Sequence, residues 1–166
     1  SQSFIGFRRL EIYPRLLNKL LAEHKQSFRN AGRCMAEYRL INNSPAYWEF
    51  IRELRTMEGV RDGFVSQTEI SPVQQATYML KYNSNFWICL DEKTPAGYVG
   101  IIDEDIRVAT HPDYQGKGVG TFMINEVMKI NPGAVAKVKL DNAASVKLFE
   151  KCGFEKKYYI MEKNNE

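Results

Sequence analysis

Between residues 108 and 120 a strand is predicted to end, the chain turns at a proline, and glycines begin a helix. No other feature of the sequence restricts the possible folds as much. The apolar alternation of Ile106–Thr110 predicts the strand. Successive N–H groups at the start of the following helix carry the positive end of its dipole, which suits a pyrophosphate. Three residues there lack the β-carbons that would block close approach of the phosphates: Gly116, Gly118 and Gly120. We therefore predict an α/β protein with an anion site at this turn.

The spacing of these glycines excludes two other phosphate-binding loops. A Walker A loop needs GxxxxGK followed by Ser or Thr, which this turn does not contain. A dinucleotide fingerprint needs a different first glycine pair and an early βαβ unit around it. For this segment taken alone, a glycine-rich turn that serves only packing remains an alternative.

Composition predicts a single soluble domain and excludes several classes of protein. The 166 residues are 44% hydrophobic and 12% aromatic, which is enough for a buried core. A net charge of +3 without a basic stripe does not indicate nucleic acid. No apolar run reaches the ~18–20 residues of a membrane span, and no signal peptide is visible, so we expect a cytoplasmic protein. Three widely spaced cysteines predict reduced thiols, and two histidines without a CxxC motif predict no metal site.

Helix and strand patterns divide the chain into two parts. Residues 1–34 predict a helical extension, because apolar side chains recur there at helical spacing, and residues 35–166 form the main domain. Within the main domain, Ser44-Pro45 and Ser71-Pro72 each predict a helix start. Helices are also predicted from the glycine turn to about Ile130 and over 143–151. The predicted strands are 35–41, 86–90, 97–102, 106–110, 136–140 and 154–161.

A second motif, Asn142 to Phe154, reads NAASVKLFEKCGF. Together with QGKGVG at Gln115–Gly120, it resembles the GCN5-related N-acetyltransferase (GNAT) superfamily. That family has the hallmark Q/R-x-x-G-x-G/A and a second signature, an Asn followed by a helix ending in L-Y-E-K-x-G-F. Phe149 stands where the family has Tyr. The resemblance is specific over 97–161 and implies a mixed central sheet that splays between its fourth and fifth strands, with flanking helices and an added N-terminal helix.

The resemblance also implies acetyl-CoA as the cosubstrate, without a metal. Its pantetheine arm would lie beside the strand ending at Thr110, hydrogen-bonded by backbone groups of that strand. Asn142 would contact the same arm, cap the following helix, or do both. N–H groups of the glycine turn would hold the pyrophosphate. The implied cofactor-binding residues are Val108, Ala109, Thr110, Gln115, Gly116, Lys117, Gly118, Val119, Gly120, Asn142 and Phe149.

Acetyl transfer to an amine needs a group that takes the proton, because a free alkylamine has a pKa of ~10. The candidates are Glu104 and Asp105, with His111 ranked after them; a solvated hairpin tip is the alternative for the two carboxylates. The family's general acid is the tyrosine replaced by Phe149. Tyr158, a neighbouring hydroxyl or water would then protonate the departing thiolate, or the thiolate leaves unassisted.

The acceptor side is implied to be built from residues 44–85. Arg55 and Arg61 there resemble residues of amino-sugar nucleotide acetyltransferases and would contact a phosphate; ordinary surface arginines are the alternative. We therefore expect acetyl transfer by direct attack of a primary amine on a small polar acceptor, an amino sugar or sugar nucleotide included. Protein or peptide acetylation and a non-catalytic acyl-CoA-binding module remain alternatives. The expected partners are acetyl-CoA and the amine, without nucleic acid or membrane, in a monomer or homodimer.

Overall fold

The computed structural model describes residues 37–66 and 69–163, so the predicted extension over 1–34 lies outside the described residues. In this part of the chain one sheet runs in sequence order, and each neighbouring pair of strands is antiparallel. Its strands are β1 (Tyr38–Asn42), β2 (Phe86–Asp91), β3 (Thr94–Ile102) and β4 (Asp105–Thr110). The helices are α1 (Trp48–Thr56), α2 (Pro72–Tyr82), α3 (Val119–Ile130) and α4 (Ala143–Lys151).

Strand side chains alternate between two cores, one on each face of the sheet. Val99 and Ile106 belong to a core that α3 and α4 complete with residues such as Met123. Tyr98 and Ala109 belong to the opposite core, which α1 and α2 complete. The predicted α/β arrangement, a sheet between helices, is confirmed, and β4 has both helical layers beside it.

Local signals in the sequence set several of these boundaries. The Ser71 hydroxyl accepts from the Gln74 N–H, and the Gln74 side chain accepts from the Ser71 N–H, which confirms the capping box of α2. Ser44 precedes a short 3-10 turn, Pro45–Tyr47, and its side chain makes no capping bond. Asp103 and Glu104 both have positive φ, 50° and 64°, and form the two-residue tip of the β3–β4 hairpin. The predicted acidic tip is confirmed for these two residues, whereas Asp105 is the first residue of β4 and pairs with Ile102.

Two predicted strands are not formed in the described residues. The segment 136–140 belongs to no ladder, and pairing with β4 is limited to a parallel bridge between Asp105 and Val135. Beyond it, the Lys137 N–H is bound by the Asp105 carboxylate at 3.1 Å, so a side chain replaces the backbone acceptor that a ladder needs. The segment 154–161 is likewise outside any ladder. The sheet is therefore antiparallel rather than mixed.

Candidate functional site

The outer edge of β4 exposes backbone groups at two positions. In an antiparallel ladder, alternate residues turn their N–H and C=O toward the same neighbour. The His111 N–H points to β3, where it donates to the Ala96 carbonyl, whereas the Ile106 N–H points outward and donates to the Val135 carbonyl. Val108 and Thr110 share the phase of Ile106, so their backbone groups also point outward. No acceptor or donor for them lies in the described residues, which fits hydrogen bonds to an extended ligand.

The glycine turn continues this edge with further open N–H groups. Gly116 and Gly118 have φ of 75° and 84°, and a β-carbon at either would meet nothing within 4 Å. Glycine is needed for the backbone conformation, and the space beside it is open. N–H groups at five positions find no acceptor in the described part of the chain: Gly116, Gly118, Val119, Gly120 and Thr121. The N–H groups of Gln115 and Lys117, by contrast, donate to carbonyls within the turn.

Gly120 has a different role from the one that its place in the motif indicates. A β-carbon there would lie 2.9 Å from Leu148 Cδ2 of α4, so this glycine permits the close packing of α3 and α4. The turn itself is supported from β1, where the Tyr38 hydroxyl donates to the Lys117 carbonyl at 3.1 Å. The Lys117 ammonium lies 5.3 Å from the centre of the Tyr114 ring. The sequence pattern did not reveal the Tyr38 contact, because it joins residues 79 positions apart.

Asn142 uses both ends of its side chain. Its carbonyl oxygen accepts from the Ser145 N–H at 3.1 Å, which confirms it as the cap of α4. Its amide donates to the Gly63 carbonyl oxygen at 3.2 Å. One N–H of the amide remains for a ligand.

Phe149 lies on α4 with its side chain buried. Its ring is 6% exposed and packs against Phe154, with 5.1 Å between ring centres. Two cysteines contribute to the same core, Cys89 buried and Cys152 half-buried. Burial raises the pKa of Cys89 to about 12 and also raises the pKa of Cys152. A protonated thiol is a poor nucleophile, so neither is suited to carry an acetyl group.

The two predicted carboxylates stand at the start of β4. Glu104 is exposed at the hairpin tip, while the Asp105 carboxylate is half-buried, accepts from the Lys137 N–H and lies 4.0 Å from Arg107 Nε. Along β4 they are five to six residues from Thr110, or about 17–20 Å at the usual rise. His111 Nδ1 accepts from the Asp113 N–H at 3.2 Å and so caps the turn after β4. Asp105 therefore has a structural partner, and Glu104 is open to solvent.

Tyr158 is not brought to this edge by any contact within the described residues. Its side chain is 90% exposed in the irregular segment after α4.

The two predicted substrate arginines lie around the loop that follows α1. The Arg55 guanidinium lies 5.4 Å from the centre of the Phe64 ring and donates to the Ser66 carbonyl at 3.4 Å. Arg61 begins the short 3-10 turn Arg61–Gly63 and is exposed.

Three further residues lie on the same side of the sheet as Arg55, and the sequence analysis did not predict them: Arg107, Tyr98 and Tyr78. Arg107 has the strand phase of Ala109 and so faces the α1–α2 layer, where Tyr98 and Tyr78 also lie. Burial raises the pKa of Tyr98 to about 12, and the charges of Arg55 and Arg107 oppose that rise. Burial likewise raises the pKa of Tyr78 against the same two charges. The missed signal was a charged residue in the middle of an apolar strand. Strict alternation places the side chain of Arg107 on the face of the sheet that Val108 does not occupy.

A metal site and a membrane-spanning helix are further features that residues 37–66 and 69–163 could contain. These residues contain no group of three or more His, Cys, Asp or Glu side chains placed to hold a metal ion. None of the helices formed by them has the length and apolar character needed to cross a bilayer.

Comparison with known proteins identifies the family of this chain. A family model described as Acetyltransferase (GNAT) family matches residues 46–154. The peptidyl-lysine N-acetyltransferase YjaB of Salmonella typhimurium is 21% identical over 103 residues, which are 61% of this chain and 70% of that protein.

Solved structures share the fold. A spermidine N-acetyltransferase from Vibrio cholerae, in complex with CoA and spermine, has a TM-score of 0.67 and 19% identity, covering 76% of this chain and 86% of that chain. The structure of yncA from Salmonella typhimurium, with its cofactor acetyl-CoA, has a TM-score of 0.54 and 19% identity, covering 71% of this chain and 79% of that chain. At these identities the likeness establishes the fold.

Proposed function

Because the chain belongs to the acetyltransferase (GNAT) family, whose members are N-acetyltransferases that use acetyl-CoA, we propose that it acetylates the primary amine of a small, polar, anionic acceptor. The acceptor class we favour is an amino sugar carried on a phosphate or nucleotide. The observation that carries the coenzyme part of the proposal is the row of outward backbone groups on β4, continued by the N–H groups that open α3. The observation that carries the acceptor part is a pair of arginines, Arg55 and Arg107, on the other face of the sheet.

The coenzyme fits the residues present. Backbone groups of Val108 and Thr110 match the alternating amides of a pantetheine arm, and the Asn142 amide has one N–H left for it. The open N–H groups of Gly116, Gly118, Val119 and Gly120 suit a pyrophosphate, at the end of the helix where the dipole is most favourable. The coenzyme supplies the electrophile, an acetyl thioester.

The chain's own groups then have to orient the acceptor and take one proton. The acceptor nitrogen attacks the acetyl carbonyl carbon, the C–N bond forms, and the C–S bond breaks. The raised pKa values of Cys89 and Cys152 support this direct route over one through an acetyl-cysteine. We assign the proton to Glu104 or Asp105, directly or through water, and Glu104 is favoured because its carboxylate is open. A thiolate with a pKa of ~8.5 can leave without an acid, so we leave Tyr158 out of the mechanism.

The acceptor side carries positive charge close to buried phenols. Arg107 and Arg55 are near enough to Tyr98 for both charges to act on its hydroxyl. Guanidinium groups and phenols together suit a phosphate or carboxylate, and they oppose binding of a polycation. This supports an acceptor with an anionic group rather than a polyamine. Arg61, on the loop beside Arg55, is the further residue that we assign to the acceptor.

A mass-spectrometric screen with acetyl-CoA tests the proposal. The acceptors are an amino sugar, its phosphate, its nucleotide conjugate, spermidine and a lysine peptide. We expect acetylation of the phosphate or nucleotide form, with a KM at least ~10-fold lower than for the free amino sugar. Arg107→Gln should remove that preference without changing CoA affinity, whereas Arg39→Gln, an exposed arginine of β1, is the matched control. Acetylation of the peptide or spermidine alone would overturn the acceptor class.

A further inference from the structure

We propose that residues 155–163 form an intermolecular β-ribbon with the same segment of a second copy of this chain, antiparallel and centred on Tyr159. The ribbon would make a two-fold symmetric dimer, in which each residue pairs with its mirror position in the partner. This inference does not depend on the acceptor proposed above.

The segment has the properties of a strand without a neighbour. The sequence predicts a strand there, and yet none of its residues enters a ladder in the described part of the chain. Four consecutive large side chains stay in solvent: Tyr158 is 90% exposed, Tyr159 83%, Ile160 67% and Met161 92%. Aromatic and β-branched side chains in an unpaired segment with a strand pattern are typical of an edge that accepts another strand.

Charge complementarity identifies the second copy as the partner. With Tyr159 opposite its own mate, Lys156 faces Glu162, and Glu155 faces Lys163. Two-fold symmetry repeats each pair, so four opposite-charge pairs flank the apolar centre. Directly opposed residues of opposite charge stabilise an antiparallel pair, and like charges destabilise it.

Neighbouring registers lack this match. Moving the pairing by one residue in one direction places Glu155 opposite Glu162. Moving it in the other direction places Lys156 opposite Lys163, and the attraction between Lys157 and Glu162 in that register only offsets this repulsion. The charge pattern therefore selects a single register as well as a partner. A one-residue slip would also exchange the two faces of the ribbon.

One contact must give way for the ribbon to form. Lys156 Nζ lies 3.2 Å from Glu150 Oε1, and both side chains are largely exposed, at 72% and 50%. Ion pairs between exposed side chains contribute little to stability, so Lys156 can exchange Glu150 for Glu162 of the partner. Because a two-stranded ribbon alone is marginally stable, we expect an equilibrium between monomer and dimer that depends on concentration.

Sedimentation equilibrium of the 166-residue chain with charge variants tests the ribbon. Glu155→Lys and Lys163→Glu each turn two attractive pairs into repulsive ones, so each should raise the dimer Kd by about tenfold or more. An equimolar mixture of the two variants should regain the wild-type Kd as a heterodimer, because the opposite charges face each other again. Glu58→Lys, at an exposed site of the same charge, is the control and should leave the Kd unchanged.

Each result of the sedimentation experiment either supports or overturns the ribbon. Concentration-dependent dimers that the single variants weaken and the mixture restores would support the ribbon. A wild-type chain that stays monomeric at millimolar concentration, or variants that dimerise as the wild type does, would overturn it. Equal thermal midpoints for all variants establish that the folded domain is unaffected, since these side chains are exposed.

Discussion

The Asn142 side-chain amide donates to the Gly63 carbonyl oxygen at 3.2 Å, and so connects the first turn of α4 with the loop that follows α1. Lys139 Nζ makes a parallel contact, donating to the Asp62 carbonyl at 3.1 Å. These bonds join the proposed coenzyme side to the proposed acceptor side. A pantetheine arm that engages Asn142 therefore acts close to the loop that contains Arg61.

Two substitutions separate the two roles of Asn142. Asn142→Asp keeps an oxygen that accepts from the Ser145 N–H but loses the amide donor, whereas Asn142→Ala loses both. Both variants lose the bond to Gly63, and only the alanine variant also loses the cap, so we expect it to be the less stable of the two by about 1 kcal/mol, or roughly 2–4 °C in Tm. Both variants should weaken CoA binding in calorimetry. Wild-type CoA affinity in Asn142→Asp would contradict the proposed contact.

The glycine turn can be tested against a glycine of the same conformation elsewhere. Gly118→Val and Gly153→Val both place a β-branched residue at a left-handed φ, 84° and 87°, with open space around the new β-carbon. Each should cost a similar ~1–2 kcal/mol of stability. We expect only Gly118→Val to lose CoA affinity, by tenfold or more, because its side chain would occupy the ligand's approach. Equal CoA affinity in the two variants would show that this turn does not bind the pyrophosphate of CoA.

The assignment of the proton acceptor is tested through pH–rate profiles. If Glu104 takes the proton, Glu104→Gln should lower kcat/KM most at neutral pH and least at high pH, where free amine is already present. Asp105→Asn keeps an oxygen for the Lys137 N–H and should preserve both rate and stability. A loss restricted to neutral pH in Asp105→Asn would transfer the role to that residue, and a pH-independent loss in both would indicate positioning.

Phe149 provides a test of leaving-group protonation. Its ring is 6% exposed and packs on Phe154, so Phe149→Tyr would bring a hydroxyl into apolar surroundings. We expect no gain in kcat and a loss of ~1–3 kcal/mol in stability. A rate increase of about tenfold would instead show that the missing tyrosine limits turnover.

Alkaline stability reports on the buried thiol and phenol. Burial raises the pKa of both Cys89 and Tyr98 to about 12, from ordinary values of 9.0 and 10.0. Above pH 9–10 the unfolded chain releases protons that the folded chain keeps, so the free energy of unfolding falls as pH rises toward 12. Urea titrations should show a shallower fall for Tyr98→Phe, by up to ~1.4 kcal/mol per pH unit. An unchanged slope would contradict the burial of that phenol.

Local chemistry predicted much of this fold. The capping box at Ser71, the acidic hairpin tip and the glycine turn each depend on residues within a few positions of one another, and all three are confirmed. The predicted strands at 136–140 and 154–161 are not formed in the described residues, because an alternating pattern does not specify the backbone acceptors with which its N–H groups would pair. Asp105 supplies a carboxylate instead, 32 positions before the N–H that it binds.

In the candidate site, too, local features were predicted from the sequence and long-range contacts were not. Spacing alone predicted the left-handed glycines of the turn at Gly116 and Gly118, since glycine conformation is a local property, and anion binding there stays a prediction. Arg107 was missed because its importance comes from the packing of Tyr98 and Arg55 near it, which only the assembled sheet provides. Contacts such as Asn142 to Gly63 join residues 79 positions apart and leave no periodic trace.

The proposed coenzyme edge consists of main-chain atoms on β4 and at the start of α3, whereas the proposed acceptor face consists of side chains. Amide groups are the same in every residue, so replacement of side chains along β4 alters their chemistry little as long as the strand and the turn persist. Replacement of Arg107, in contrast, would change what the proposed acceptor face can bind. A lineage of such proteins can therefore drift widely in sequence and exchange one amine for another through a few substitutions, while the donor half of the reaction stays fixed.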